Sequence, residues 1–254
     1  MRTPVVITLD RLAEEPYASV ICYPSSTPEE IRIRMDELRS LGVKEIEFSG
    51  DVPALSLSVL GKGHGGVVVA AHTADGRMAL KLRRTDSSRG SMEHEAETLV
   101  KVNSVGVGPR FVAATERFLL MQLIPGGPID AWLTVRSGKE AVRRVLEDIL
   151  EQCWRLDTIG SDHGELRRAS KHILMDGADM PVIVDFETVS QKRNASNVTS
   201  VCQFLFQGNS ETREVIETIL GRRGEGFMDA LRRYRHSMDR RNFDDLLKRC
   251  IADG

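Results

Sequence analysis

One stretch of this sequence has residue types and spacing suited to phosphate chemistry. Residues 61–68 read Gly61-Lys62-Gly63-His64-Gly65-Gly66-Val67-Val68, a full match to G-x-G-x-x-G-x-V. Glycines let backbone N–H groups approach phosphate oxygens where a side chain would collide. The same glycines occur in dinucleotide-binding turns, but those run from strand to helix. Here Val67-Val68-Val69-Ala70-Ala71 continues as a strand, the strand–loop–strand order of a loop that covers phosphates. The plain alternative is a glycine-rich hairpin turn. Downstream, Lys81 interrupts the apolar run Met78-Ala79-Leu80-Lys81-Leu82. A lysine there either faces solvent or needs a partner, because a buried unpaired ammonium is expensive. With the loop upstream, Lys81 is placed to hold phosphates. Its counter-ion is expected from the next helix, where Glu95 fits best, Glu97 is second and Glu93 third.

Residues 61–68, Lys81, Glu95 and the hinge-like run 120–127, with Gln122 and Leu123 at its centre, together resemble the N-terminal lobe of protein kinases. The second half continues the match. Ser161-Asp162-His163-Gly164-Glu165-Leu166 resembles the catalytic loop in its H-G-x-L form, and Val184-Asp185-Phe186-Glu187 resembles the D-F-G position in a D-F-E version. The set resembles the archaeal predicted serine/threonine protein kinases, atypical kinases related to the RIO family, over about residues 53–205. The resemblance implies ATP and Mg²⁺ as cofactors. Gly61, Lys62, Gly63, Gly65, Gly66, Val68, Lys81, Glu95, Gln122 and Leu123 are then the nucleotide-binding residues. Lys81, Glu165 and Asp185 are the catalytic ones, and Asp185 carries the metal. Glu165 stands where the family has an aspartate, one methylene shorter. The family's asparagine metal ligand is also missing. Ser170 and His172 are its two substitutes, although imidazole suits Mg²⁺ poorly; the alternative for His172 is a hydrogen bond within the loop. His163 is expected to be structural and Asp162 to cap the loop, with a back-up acid as the alternative. No Ala-Pro-Glu follows Asp185, so no peptide-docking segment is apparent.

These residues need particular elements to hold them. Strands are expected over 4–9, 44–48, 54–60, 66–72, 77–82, 111–114 and 118–123, with short strands at 172–175 and 182–185. Thr27-Pro28-Glu29-Glu30 is a helix start, with Thr27 as N-cap, Pro28 at the first position and Glu30 closing a capping box. Helices are expected from there to Gly42, over 91–102 and 139–159, and from about 198 to the end. The stripe Val142, Val145, Leu146, Ile149, Leu150, Cys153 and Leu156 marks the long one. The fold class is α+β: a bilobal protein-kinase-like fold with an N-terminal α/β extension at 1–50. The small lobe covers 51–122 and a mainly helical lobe with a basic tail covers 123–254.

The chain has 254 residues, 41% hydrophobic and 28% charged, with a formal charge of −2. That balance gives no general reason to expect nucleic acid or an anionic membrane. The tail arginines 222, 223, 232, 233, 235, 240 and 241 are interleaved with acids, which reads as a solvated helix face rather than an RNA surface. Four scattered cysteines without a CxxC pair read as neutral thiols. The opening residues lack the build of a secretory signal, so a cytoplasmic protein is expected. Three functions stay open: a serine/threonine protein kinase, autophosphorylating or acting on a protein hydroxyl; an ATP-binding pseudokinase or ATPase in ribosome or RNA maturation; and a small-molecule phosphotransferase of the aminoglycoside-kinase type.

Overall fold

The computed structural model describes residues 3–87, 91–135, 138–207 and 211–252. It is a mixed α+β chain of two compact units. The first comprises Met1–Val100 and Arg110–Leu123, the second Lys101–Pro109 and Ile124–Gly254.

The first unit is built on an antiparallel sheet. Its elements are β1 (Val5–Thr8), α1 (Tyr17–Ile21), α2 (Pro28–Ser40), β2 (Glu45–Phe48), β3 (Val52–Ala54), β4 (Leu57–Val59), β5 (Gly61–Lys62), β6 (Gly66–Thr73), β7 (Gly76–Arg83), α3 (Glu93–Asn103, whose residues from Lys101 on belong to the second unit), β8 (Phe111–Ala114) and β9 (Phe118–Gln122). The strand order is β1-β2-β6-β7-β9-β8, with β5 pairing β6. Residues 1–50, read above as an extension, share this sheet, because β2 pairs with β6 from Glu45↔His72 to Glu47↔Ala70. They also share its core: Ile7, Leu12, Ile21, Leu38, Ile46 and Phe48 are buried in one cluster with Val67, Val69, Leu80 and Phe118. Each such side chain contributes about 1.5–3 kcal/mol.

Thr27 caps α2 as its sequence suggests, accepting the Glu30 N–H at 3.2 Å. The Glu30 carboxylate goes instead to Arg34 (2.7 Å) and Arg117 (3.0 Å). Arg34 is fully buried. It donates to the carbonyls of Ile21 and Arg83, each at 2.7 Å, so α2 is tied to the end of β7. The run expected as one strand over 54–60 is instead a small hairpin of β3 and β4. Leu55 turns the chain there with a φ of +54°.

The second unit contains α4 (Ile129–Val135), α5 (Lys139–Thr158), β10 (Ile173–Met175), β11 (Pro181–Ile183), α6 (Asn197–Phe206), α7 (Glu211–Leu220), α8 (Phe227–His236) and α9 (Arg240–Ile251). The stripe on α5 is buried throughout. β10 and β11 form an antiparallel pair. The helix expected from 198 to the end is four helices, and its residues 208–210 and 253–254 lie outside the described residues. Several tail arginines are used internally. Arg240 grips Glu151 at 2.7 and 3.0 Å, and Arg223 donates to the carbonyls of Leu220, Gly221 and Cys250. All four cysteines are free and buried. Among the described residues no helix is long and apolar enough to cross a membrane.

Candidate functional site

Two sets of residues from the sequence reading come together, one in each unit. In the first unit, Gly61 and Lys62 pair with Val68 and Val67 across the hairpin from β5 to β6. Gly63 N–H donates to the Gly66 carbonyl at 2.9 Å, and Arg84 N–H to the Gly65 carbonyl at 3.1 Å. The loop is therefore a tight strand–turn–strand. Gly66 is the position with no room for a side chain. A Cβ there would sit 2.8 Å from the Leu82 carbonyl oxygen and 3.1 Å from two carbons of the Lys81 side chain. The stem of Lys81 thus packs against Gly66, where the loop enters β6. Lys62 is directed elsewhere: its ammonium donates to the Pro53 carbonyl at 2.9 Å and lies over the Tyr23 ring.

Lys81 stands mid-sheet on β7, opposite Val68 on β6 and Leu119 on β9. Its Nζ donates to Glu95 Oε1 at 2.6 Å. Lys81 and Glu95 are 5% and 9% exposed, so this is a buried ion pair, of the three acidic candidates with the one that fits best in sequence. At the end of β9, Gln122 is exposed, and its side-chain oxygen accepts the Arg110 N–H at 3.1 Å; Leu123 closes the unit.

In the second unit, a 3-10 turn at Leu166–Lys171 leads from Glu165 into His172 and β10. That turn brings His172 Nε2 to 3.2 Å from Glu165 Oε2. His172 Nδ1 lies 3.9 Å from Asp185 Oδ2, just beyond β11. One ligand-type atom from each of Glu165, His172 and Asp185 lies within 4.8 Å of the others. The two carboxylates are about two-fifths exposed and the imidazole largely covered. Asp185 has a φ of +66°, a left-handed conformation that aspartate tolerates better than most residues. Ser170, the other substitute ligand, is half-buried at the end of the 3-10 turn.

A buried hydrogen-bond chain carries both arms of this cluster, and of its side chains His163 has a role in the sequence reading above. His163, two residues before Glu165, is sealed from solvent. Its Nε2–H donates to the Val184 carbonyl at 3.0 Å, next to Asp185. Its backbone N–H donates to Asn197 Oδ1 at 2.9 Å. Asn197 in turn donates its backbone and side-chain N–H groups to Asp157 Oδ1 at 2.8 and 2.7 Å. Tyr234 donates to Asp157 Oδ2 at 2.8 Å. Burial raises the Asp157 pKa, and the bonds from Asn197, Tyr234 and Val198 oppose it. Burial lowers that of His163 to about 4. Asp162 caps the loop by holding the Arg193 guanidinium at 2.6 Å. For Asp157 the sequence signal was its place directly beside the apolar stripe of α5.

No protein-family model matches the chain, and no curated protein is a significant match.

Proposed function

We propose that this chain is an ATP-dependent phosphotransferase with a bilobal protein-kinase-like fold, acting as an atypical, RIO-like serine/threonine protein kinase. The observation that carries the reading is the buried Lys81–Glu95 pair, with the Lys81 stem packed against Gly66 at the end of the glycine turn. A buried pair of this kind is weak as a stabilising device, and an ammonium held on the strand that follows a glycine turn suits an anionic phosphate.

The residues fit the cofactors as follows. Lys81 supplies a positive charge that Glu95 keeps in place, and Gly66, lacking a Cβ, lets the Lys81 stem pack against the start of β6. Asp185 and His172 would hold a divalent cation, which when bound offsets charge on the transferring phosphoryl group. Glu165 has one oxygen engaged by His172. Its other oxygen accepts the proton of an acceptor hydroxyl as a general base. The chain from Tyr234 to His163 fixes Glu165 and Asp185 relative to each other. The acceptor is read as a protein hydroxyl, the chain's own included. A small-molecule acceptor is the second reading, favoured by the short run of residues 186–196 between Asp185 and α6.

Incubation with γ-labelled ATP, scored for labelled protein, free phosphate and labelled small molecule, tests the proposal. Label on protein is expected, reduced on the order of 10²–10³-fold in Lys81→Ala. Transfer at the wild-type rate in that variant would overturn the reading, as would the absence of any melting shift with millimolar ATP in the folded chain.

A further inference from the structure

His172 Nδ1 is buried and has no hydrogen-bond partner, although the ring is held firmly. Its backbone N–H donates to the Ala169 carbonyl at 2.8 Å, and its carbonyl accepts the Val184 N–H at 2.9 Å. Its ring meets the edge of His163 at 5.3 Å. The other ring nitrogen, Nε2, is in ion-pair contact with Glu165 Oε2 at 3.2 Å. A carboxylate on one imidazole nitrogen fixes the proton there and leaves the lone pair on the other, the arrangement found behind most metal-bound histidines. The lone pair then sits on Nδ1, 3.9 Å from Asp185 Oδ2. An ion with bonds of about 2.0–2.2 Å spans that gap with a small closing movement of the carboxylate.

From this geometry we infer a transition-metal site in which His172 Nδ1 and the Asp185 carboxylate are the protein ligands and Glu165 orients the imidazole. Mg²⁺ favours an all-oxygen octahedron, whereas an imidazole nitrogen suits first-row transition ions. The site therefore selects an ion of the Mn²⁺ class over Mg²⁺, with its remaining positions open to water or phosphate oxygens. This deepens the phosphotransferase reading in the identity of the ion, but the binding itself requires no nucleotide.

The test uses the full chain, stripped of metal and free of nucleotide, titrated with MnCl₂ under electron paramagnetic resonance and then challenged with MgCl₂. One Mn²⁺ per chain is expected, retained against about tenfold excess Mg²⁺. Its spin echo is expected to show ¹⁴N modulation from a directly bound imidazole. His172→Ala should remove that modulation and weaken Mn²⁺ binding at least about tenfold; Glu165→Ala should weaken it about 10–100-fold while keeping the modulation. Should His172→Ala fail to fold, His172→Gln and the wild-type modulation decide the question. Bound Mn²⁺ without ¹⁴N modulation, or displacement by equimolar Mg²⁺, would overturn the inference. Mn²⁺ bound through nitrogen in a chain that ignores ATP would keep this site and sink the phosphotransferase reading. Phosphoryl transfer with Mg²⁺ and no nitrogen ligand would do the reverse.

Discussion

Between pH 7 and pH 5 an imidazole in water takes up a proton, and His163 in the folded chain does not. Burial holds its pKa down to about 4 from the ordinary 6.5, with His172 adding to the effect. The Val184 carbonyl and the carboxylates of Asp185 and Asp162 pull the other way and are outweighed. Above pH 6.5 the ring is neutral in both the folded and the unfolded chain, and stability is undiminished. As the pH falls from 6.5 towards 4 only the unfolded chain binds the proton, so stability is lost; below about 4 both states are protonated and the loss levels off. The whole loss is about 3 kcal/mol, of which about 2 kcal/mol falls between pH 7 and 5. Both tryptophans, Trp132 and Trp154, belong to the second unit. Urea titrations followed by tryptophan fluorescence therefore report on the unit that contains His163. The reference is His163→Phe, which keeps a ring against Phe186 and His172 but cannot titrate. The wild type's stability relative to this variant should fall by about 2 kcal/mol from pH 7 to pH 5. A difference constant to within about 0.5 kcal/mol would show that the ring ionises alike in both states, and the burial argument would fail.

Two further outcomes follow from buried polar groups. Glu95→Ala removes the carboxylate that balances a buried ammonium, and should cost about 3–5 kcal/mol in denaturant unfolding. Lys81→Met combined with Glu95→Leu should recover most of that loss; a double variant as unstable as Glu95→Ala would contradict the ion-pair account. Asp157→Ala takes away the acceptor for Asn197, Val198 and Tyr234, at about 1–3 kcal/mol for each donor left without a partner. A loss below about 1 kcal/mol by tryptophan fluorescence would mean that the chain from Tyr234 to His163 does not hold the cluster.

Elements whose signals are local were legible in the sequence. The hairpin from β6 to β7 turns at Ala74 and Asp75, with Gly76 at a φ of +110°, where the Ala-Asp-Gly signal put it. α5 announced itself by its stripe, because every position at helical spacing is apolar. Less was legible where distant parts of the chain decide. Arg34 reads as a surface residue of an amphipathic helix; its burial depends on carbonyls 13 and 49 residues away. The strand expected over 54–60 failed because a left-handed Leu55 leaves no mark in composition. Of the candidate cluster, Glu165, His172 and Asp185 could be named singly. The contact between Glu165 and His172 depends on a 3-10 turn through Arg167, Arg168 and Ser170, which carries no periodic signal. Asp157 and Tyr234 meet across 77 residues, beyond the reach of any local pattern.

The division of the chain bears on how it can be made and cut. Residues 101–109 belong to the second unit although first-unit sequence flanks them on both sides. They are tied there by Arg155 of α5, which donates to the carbonyls of Val105 and Gly106 at 2.9 and 3.0 Å. A gene split after Leu123 would deprive the second half of that segment and leave Arg155 facing solvent. During synthesis the segment emerges some 50 residues before Arg155, so it must wait for its partner while β8 and β9 complete the sheet of the first unit. A single cut meant to separate the two units therefore either splits α3 or parts residues 101–109 from Arg155.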